Sequence, residues 1–112
     1  MDFRKARNIG RCIDNLYLQN SRTKGYDHSF ILEDTCSDIA LETGQYLLTI
    51  KSDFNAVQVY SDNYENGVEM IGTKGNVYRG VAIEPQDNQL FRKELKLGET
   101  YERYISYTFK RL

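Results

Sequence analysis

Residues 45–52 read QYLLTIKS, and their alternation decides the fold class. Tyr46, Leu48 and Ile50 fall on one side of an extended chain and Leu47, Thr49 and Lys51 on the other, because successive side chains of a strand point to opposite faces. Asp53, Phe54 and Asn55 follow, a stretch short enough for a hairpin turn. The turn predicts that residues 56–61, AVQVYS, return beside the first strand. There Val57 and Val59 oppose Ala56, Gln58 and Tyr60.

The same pattern extends outward. Residues 29–33 and 39–43 read as short strands, the second bounded by Ser37, Asp38 and Gly44. Residues 77–84 read as another. After a turn at Leu97, Gly98 and Glu99, residues 100–110 form the last. In that strand Tyr101, Arg103, Ile105, Tyr107 and Phe109 share one face; Tyr104, Ser106, Thr108 and Lys110 share the other. The spacing of Tyr101, Tyr104 and Tyr107 splits them between faces, so they read as packing and sheet-pairing residues rather than an aromatic platform. Residues 62–75 and 87–93 are polar loops. Ile9, Ile13 and Leu16 have helical spacing, so one short helix is expected within residues 8–18, weakened by Gly10. Several short strands with turn signals between them predict an all-β, antiparallel β-sandwich with at most one short helix. There is no internal repeat or Pro/Ser-rich linker, so residues 1–112 read as a single domain.

Composition narrows the function. Fifteen Lys and Arg against sixteen Asp and Glu give a net charge of −1, which offers no electrostatic footprint for nucleic acid or an anionic membrane. The opening MDFRKARN is charged where a secretory leader is apolar, and no run approaches a membrane span, so a cytoplasmic protein is expected. Cys12 and Cys36 lack metal-ligand spacing and read as free thiols; Asp34 and Asp38 lack the spacing of a calcium loop. A single histidine, His28, leaves no Ser-His-Asp set, and the glycine-containing loops lack the strand–loop–helix setting of a phosphate cradle. No metal or organic cofactor is expected.

The stretch at residues 80–88, GVAIEPQDN, carries the most chemistry. Val81 and Ile83 alternate with Ala82 and Glu84, which puts Glu84 on the small-residue face. Pro85 cannot donate to a ladder and biases Glu84 to an extended conformation, so the strand is expected to stop pairing at this carboxylate. Such a strand-end Glu is either solvated or aimed at a ligand.

Three further segments bear on that choice: MDFRKARNIG at the N-terminus, GYDHSFIL at residues 25–32 and VQVYSDN at residues 57–63. Together with GVAIEPQDN, in this order and spacing, they resemble the C-terminal part of the aldose 1-epimerase (galactose mutarotase) family. The resemblance runs from Asp2 to near Phe109 and covers roughly the last third of a family chain. It implies the C-terminal portion of that family's large β-sandwich and a sugar as the small-molecule partner. It also implies interconversion of the α and β anomers of an aldose such as galactose or glucose. That reaction needs a base for the anomeric hydroxyl proton and an acid for the ring oxygen. The resemblance puts the base at Glu84, where a bound sugar that excludes water strengthens a carboxylate for the task. It puts a sugar-hydroxyl acceptor at Asp27, a role that suits an acceptor-only, charged group. Gln58, Tyr60 and Asn63 are implied to line or support the pocket; by residue type Tyr60 reads equally as a core residue and Asn63 as a turn residue. Gln86 and Asn88 read as orienting Glu84 or as shaping its turn. The family's acid is a histidine upstream of the matched part, as are an Arg and a further His that bind sugar. His28 alternates to the face opposite Asp27 and reads as structural.

The leading expectation is a truncated family member that keeps the base and lacks the acid, with Glu84 and Asp27 lining one concavity. The alternatives are a non-enzymatic carbohydrate-binding or interaction module, and a subunit completed by another chain. Strand edges and apolar faces that pair with upstream strands in the family are expected to drive homo-oligomerisation here.

Overall fold

The computed structural model describes residues 2–13, 15–20, 22–33, 38–65, 77–91 and 93–112. Asp34 and Cys36, and most of the polar loop expected at residues 62–75, lie outside them. The described chain is mainly β. Its strands are β1 (Asp27–Ile31), β2 (Ile39–Thr43), β3 (Tyr46–Ser52), β4 (Ala56–Tyr60), β5 (Ala82–Gln86) and β6 (Ile105–Arg111). They form two three-stranded sheets, ordered β1-β4-β5 and β2-β3-β6, as expected of an all-β, sandwich-type fold.

The chain divides into two compact units, residues 1–28 with 59–83 and residues 29–58 with 84–112. In the first, the helical stretch is broken into α1 (Gly10–Ile13) and α2 (Leu16–Asn20). The break has a cause: two asparagines each start a turn. Asn8 Oδ1 accepts the Arg11 N–H at 3.2 Å, and Asn15 Oδ1 accepts the Tyr17 N–H at 2.9 Å, as N-cap side chains do. Leu18 and Tyr26 are buried in this unit, and the Tyr26 ring lies 5.6 Å from that of Phe3.

In the second unit β3 is the central strand of its sheet, antiparallel to both neighbours. Ile50 stands opposite Ile39 on β2 and Tyr107 on β6; Leu48 stands opposite Leu41 and Phe109. The Tyr46, Leu48, Ile50 face is therefore the apolar face of the whole sheet, with Ile50 fully buried at its centre. Towards β6 that face is open: Tyr107 and Phe109 are mostly exposed, and Phe109 stacks on Tyr46 with centroids 5.1 Å apart.

The expected hairpin between β3 and β4 does not form. The two strands belong to different sheets, and residues 53–55 carry the chain from one to the other. The groups of that connection are spent on distant partners. Asp53 exchanges bonds with Tyr104, whose N–H reaches Asp53 Oδ1 at 2.9 Å and whose carbonyl accepts the Asp53 N–H at 3.3 Å. The Asn55 carbonyl accepts the Leu32 N–H, and Asn55 Oδ1 accepts the Asn88 N–H at 2.7 Å.

Two strand boundaries also move. The strand expected over residues 77–84 begins only at Ala82, because Tyr78 holds a left-handed backbone (φ +57°) and its N–H binds the Asp62 carbonyl at 2.7 Å. The last strand begins at Ile105 rather than Thr100, since Tyr101 and Arg103 are engaged with Asp87. Tyr101, Tyr104 and Tyr107 are all exposed rather than packed.

Candidate functional site

In the first unit Asp27 opens β1 as an exposed carboxylate, and His28 after it is half-buried. This is the alternation expected of them, and His28 Nδ1 accepts the Asp27 N–H at 3.0 Å. The Ser61 N–H binds the Tyr26 carbonyl at 3.2 Å, and one step along that ladder sets Asp27 opposite Tyr60. The Tyr60 hydroxyl accepts the Asn63 N–H at 3.2 Å, so Tyr60 and Asn63 stand together.

Asn63 is only 5% exposed, and its side chain is committed inward. Nδ2 donates to the Tyr26 carbonyl at 2.7 Å, and Oδ1 accepts the Ser61 hydroxyl at 2.5 Å. Ser61 Oγ in turn accepts the Tyr26 N–H at 2.9 Å. Both main-chain polar groups of Tyr26 are thus held immediately before Asp27. Gly25 is what lets the chain pass: a Cβ there would overlap the Asn63 carboxamide and sit 2.9 Å from Ser61 Oγ.

The same unit carries an ion pair that no local signal in the sequence announces. Arg79 Nε donates to Asp62 Oδ2 at 2.7 Å, Nη2 to Oδ1 at 3.3 Å, and the Arg79 N–H to Oδ2 at 3.3 Å. The Arg79 side chain is 4% exposed and that of Asp62 22%. Hydrogen bonding from Arg79 holds the Asp62 carboxyl below its ordinary range, against the opposing effect of desolvation, and the same bond raises Arg79. Beside it the Tyr78 hydroxyl donates to the Lys24 carbonyl at 2.5 Å and accepts from Gln19 Nε2 at 3.2 Å.

In the second unit Glu84 is exposed on β5, an edge strand among the described residues. The strand does not stop at Glu84 as expected but runs through Pro85 to Gln86, a position an edge strand tolerates. Gln86, on the same face as Glu84 by alternation, donates to Gln58 Oε1 on β4 at 3.3 Å. Two amides are thereby ordered on the face that carries the carboxylate. Asn88 is buried: its N–H binds Asn55, and its Oδ1 accepts the Leu90 N–H at 2.8 Å at the start of the 3-10 turn Gln89–Phe91. Of its two readings, turn-shaping is the one these bonds describe.

A second cluster in this unit was not legible either. Arg103 Nη2 reaches both oxygens of Asp87, at 2.9 and 2.8 Å, and its guanidinium carbon lies 5.3 Å from the Phe54 ring centre and 5.4 Å from that of Tyr101. Hydrogen bonding to Tyr101 and Asp87 raises the Arg103 pKa. The cluster walls an open cleft of about 430 Å³ that Glu94, Glu99 and Glu102 also line. Among the described residues no group of three or more His, Cys, Asp or Glu is placed to hold a metal ion. No helix among them is long and apolar enough to cross a membrane.

Over 97% of its length the chain is similar to the aldose 1-epimerase of Haemophilus influenzae, with 31% identity over an alignment 125 positions long. The chain spans 36% of that relative's length, in its C-terminal part. The resemblance read from the four motifs is to the same family: in sequence, the chain aligns with the C-terminal part of that enzyme. No family model matches the chain, and no solved structure matches it.

Proposed function

We propose that the chain serves the interconversion of the α and β anomers of an aldose, as the part of an aldose 1-epimerase that supplies the general base. The observation that carries this is the similarity to that enzyme over nearly the whole chain, with the GVAIEPQDN and GYDHSFIL motifs in place. Glu84 takes the proton of the anomeric hydroxyl; its exposure leaves it open to a ligand, and Gln58 and Gln86 order the polar surface around it. Asp27 accepts hydrogen bonds from sugar hydroxyls. Tyr60 flanks Asp27, and Asn63 acts by holding Tyr26 rather than by touching the sugar. No step in this scheme calls for a cofactor.

Ring opening also needs an acid at the ring oxygen, and the family's acid belongs to the upstream part. The 112-residue chain alone is therefore expected to be weak or inactive, since losing one acid–base partner costs on the order of a hundredfold or more. The test is polarimetry on freshly dissolved α-galactose and α-glucose, with the chain alone and with a separately made upstream segment of a relative. Activity is expected only in the mixture and only with Glu84 intact. Robust activity of the lone chain that survives Glu84→Gln would defeat the assignment.

A further inference from the structure

We infer that two copies of this chain join edge to edge through β6, about a two-fold axis at Thr108, to make one six-stranded antiparallel sheet. The inference stands apart from the enzymatic reading. β6 is the edge of its sheet, and among the described residues no strand pairs with its outer side. The bonds at its two ends fix which residues face outward. The Leu112 N–H binds the Gln45 carbonyl at 2.9 Å, and the Tyr104 carbonyl accepts the Asp53 N–H, so even-numbered residues turn their main-chain groups to β3. By alternation Ile105, Tyr107, Phe109 and Arg111 present theirs to the open edge.

That parity, together with charge, selects one register. An antiparallel pairing about Thr108 sets Tyr107 against Phe109 of the other copy and Ile105 against Arg111, so every outward residue of β6 meets another outward residue. The cations stay apart: Lys110 falls opposite Ser106 and Arg111 opposite Ile105. A pairing about Tyr107 would instead bring Arg111 against Arg103, and one about Phe109 would leave Ile105 beyond the end of the other strand. On the apolar face, Tyr107 (60% exposed) and Phe109 (68% exposed) would meet their counterparts and continue the Tyr46–Phe109 stack across the junction.

Hydrogen exchange on the unmodified chain tests this directly. The amides of Ile105, Tyr107, Phe109 and Arg111 should gain protection as concentration rises, by roughly tenfold or more when the dimer forms. Sedimentation should show the dimer mass over the same range. Thr108→Lys and Thr108→Glu each place like charges across the axis and should weaken association on the order of tenfold or more, and their equimolar mixture should restore it. A monomer at all concentrations overturns the inference, and is the outcome expected if this edge serves only an upstream segment of a longer protein. A dimer in which those amides exchange freely overturns it as well, whatever the Thr108 variants do.

Discussion

The side-chain amide of Asn63 donates to the main-chain carbonyl of Tyr26 at 2.7 Å, one residue before Asp27. A loop residue after β4 thus fixes the backbone from which the first strand of the same sheet departs. Ser61 and Asn63 together leave Tyr26 little freedom, and Asp27 inherits that constraint.

Asn63→Ala should cost about 1–3 kcal/mol, because the buried Ser61 hydroxyl loses its acceptor and the Tyr26 carbonyl loses a donor. Gly25→Ala should cost a similar amount, roughly 1–3 kcal/mol, by forcing the Asn63 side chain out of its place. Urea midpoints of the two single variants and the double variant check both. The double variant should fall well short of the sum, since each change disrupts the same contact. Full additivity would show that Asn63 does not hold Tyr26 in this way.

The Asp62–Arg79 pair predicts a dependence on acid. Arg79 depresses the Asp62 carboxyl below its ordinary value of 3.8, so the unfolded chain takes up that proton first as pH falls. The stabilisation is fully present above that ordinary value and is lost as pH falls through the lower value in the folded protein. Urea midpoints from about pH 5 to about pH 2 should drop in the parent chain and drop less steeply in Asp62→Asn. Asp2, depressed by hydrogen bonds from Arg4, leaves a share of the slope in both proteins. Identical slopes would mean the pair does not outlast water screening.

Where local pattern decided the outcome, the sequence was readable. Ile39, Leu41, Leu48 and Ile50 alternate cleanly, and β2 and β3 lie within a residue of where alternation puts them. Asn8 and Asn15 were legible as cap residues only once two short turns were known. The failures share a cause, long-range bonding by a turn or strand end. Residues 53–55 look like a hairpin because nothing nearby reveals that Asp53 binds Tyr104 and Asn55 binds Leu32 and Asn88. The strand expected from residue 77 starts late because Asp62, back in the chain, binds both Tyr78 and Arg79. For the site, Glu84 and Asp27 are proposed through motif alone. Both stand exposed, and the ordered amides of Gln58 and Gln86 emerge only when β4 and β5 are set side by side.

The last prediction separates the two carboxylates by role. In a preparation made active by an upstream segment, Glu84→Gln removes the carboxylate proposed to take the anomeric proton. It should lower kcat on the order of a hundredfold or more with little change in KM. Asp27→Asn keeps the shape and one acceptor but loses the charge. A charge-assisted hydrogen bond to a sugar hydroxyl contributes about 1.5–3 kcal/mol, so KM should rise by roughly tenfold to a hundredfold while kcat falls less. The pH dependence should divide the same way. If Glu84 is the base, the acid limb of kcat disappears in Glu84→Gln and survives in Asp27→Asn. Saturation kinetics by coupled polarimetry over a range of galactose concentrations and pH decide the matter. Should Asp27→Asn abolish the acid limb while Glu84→Gln leaves it, the base is Asp27, and the roles given to the two motifs are exchanged.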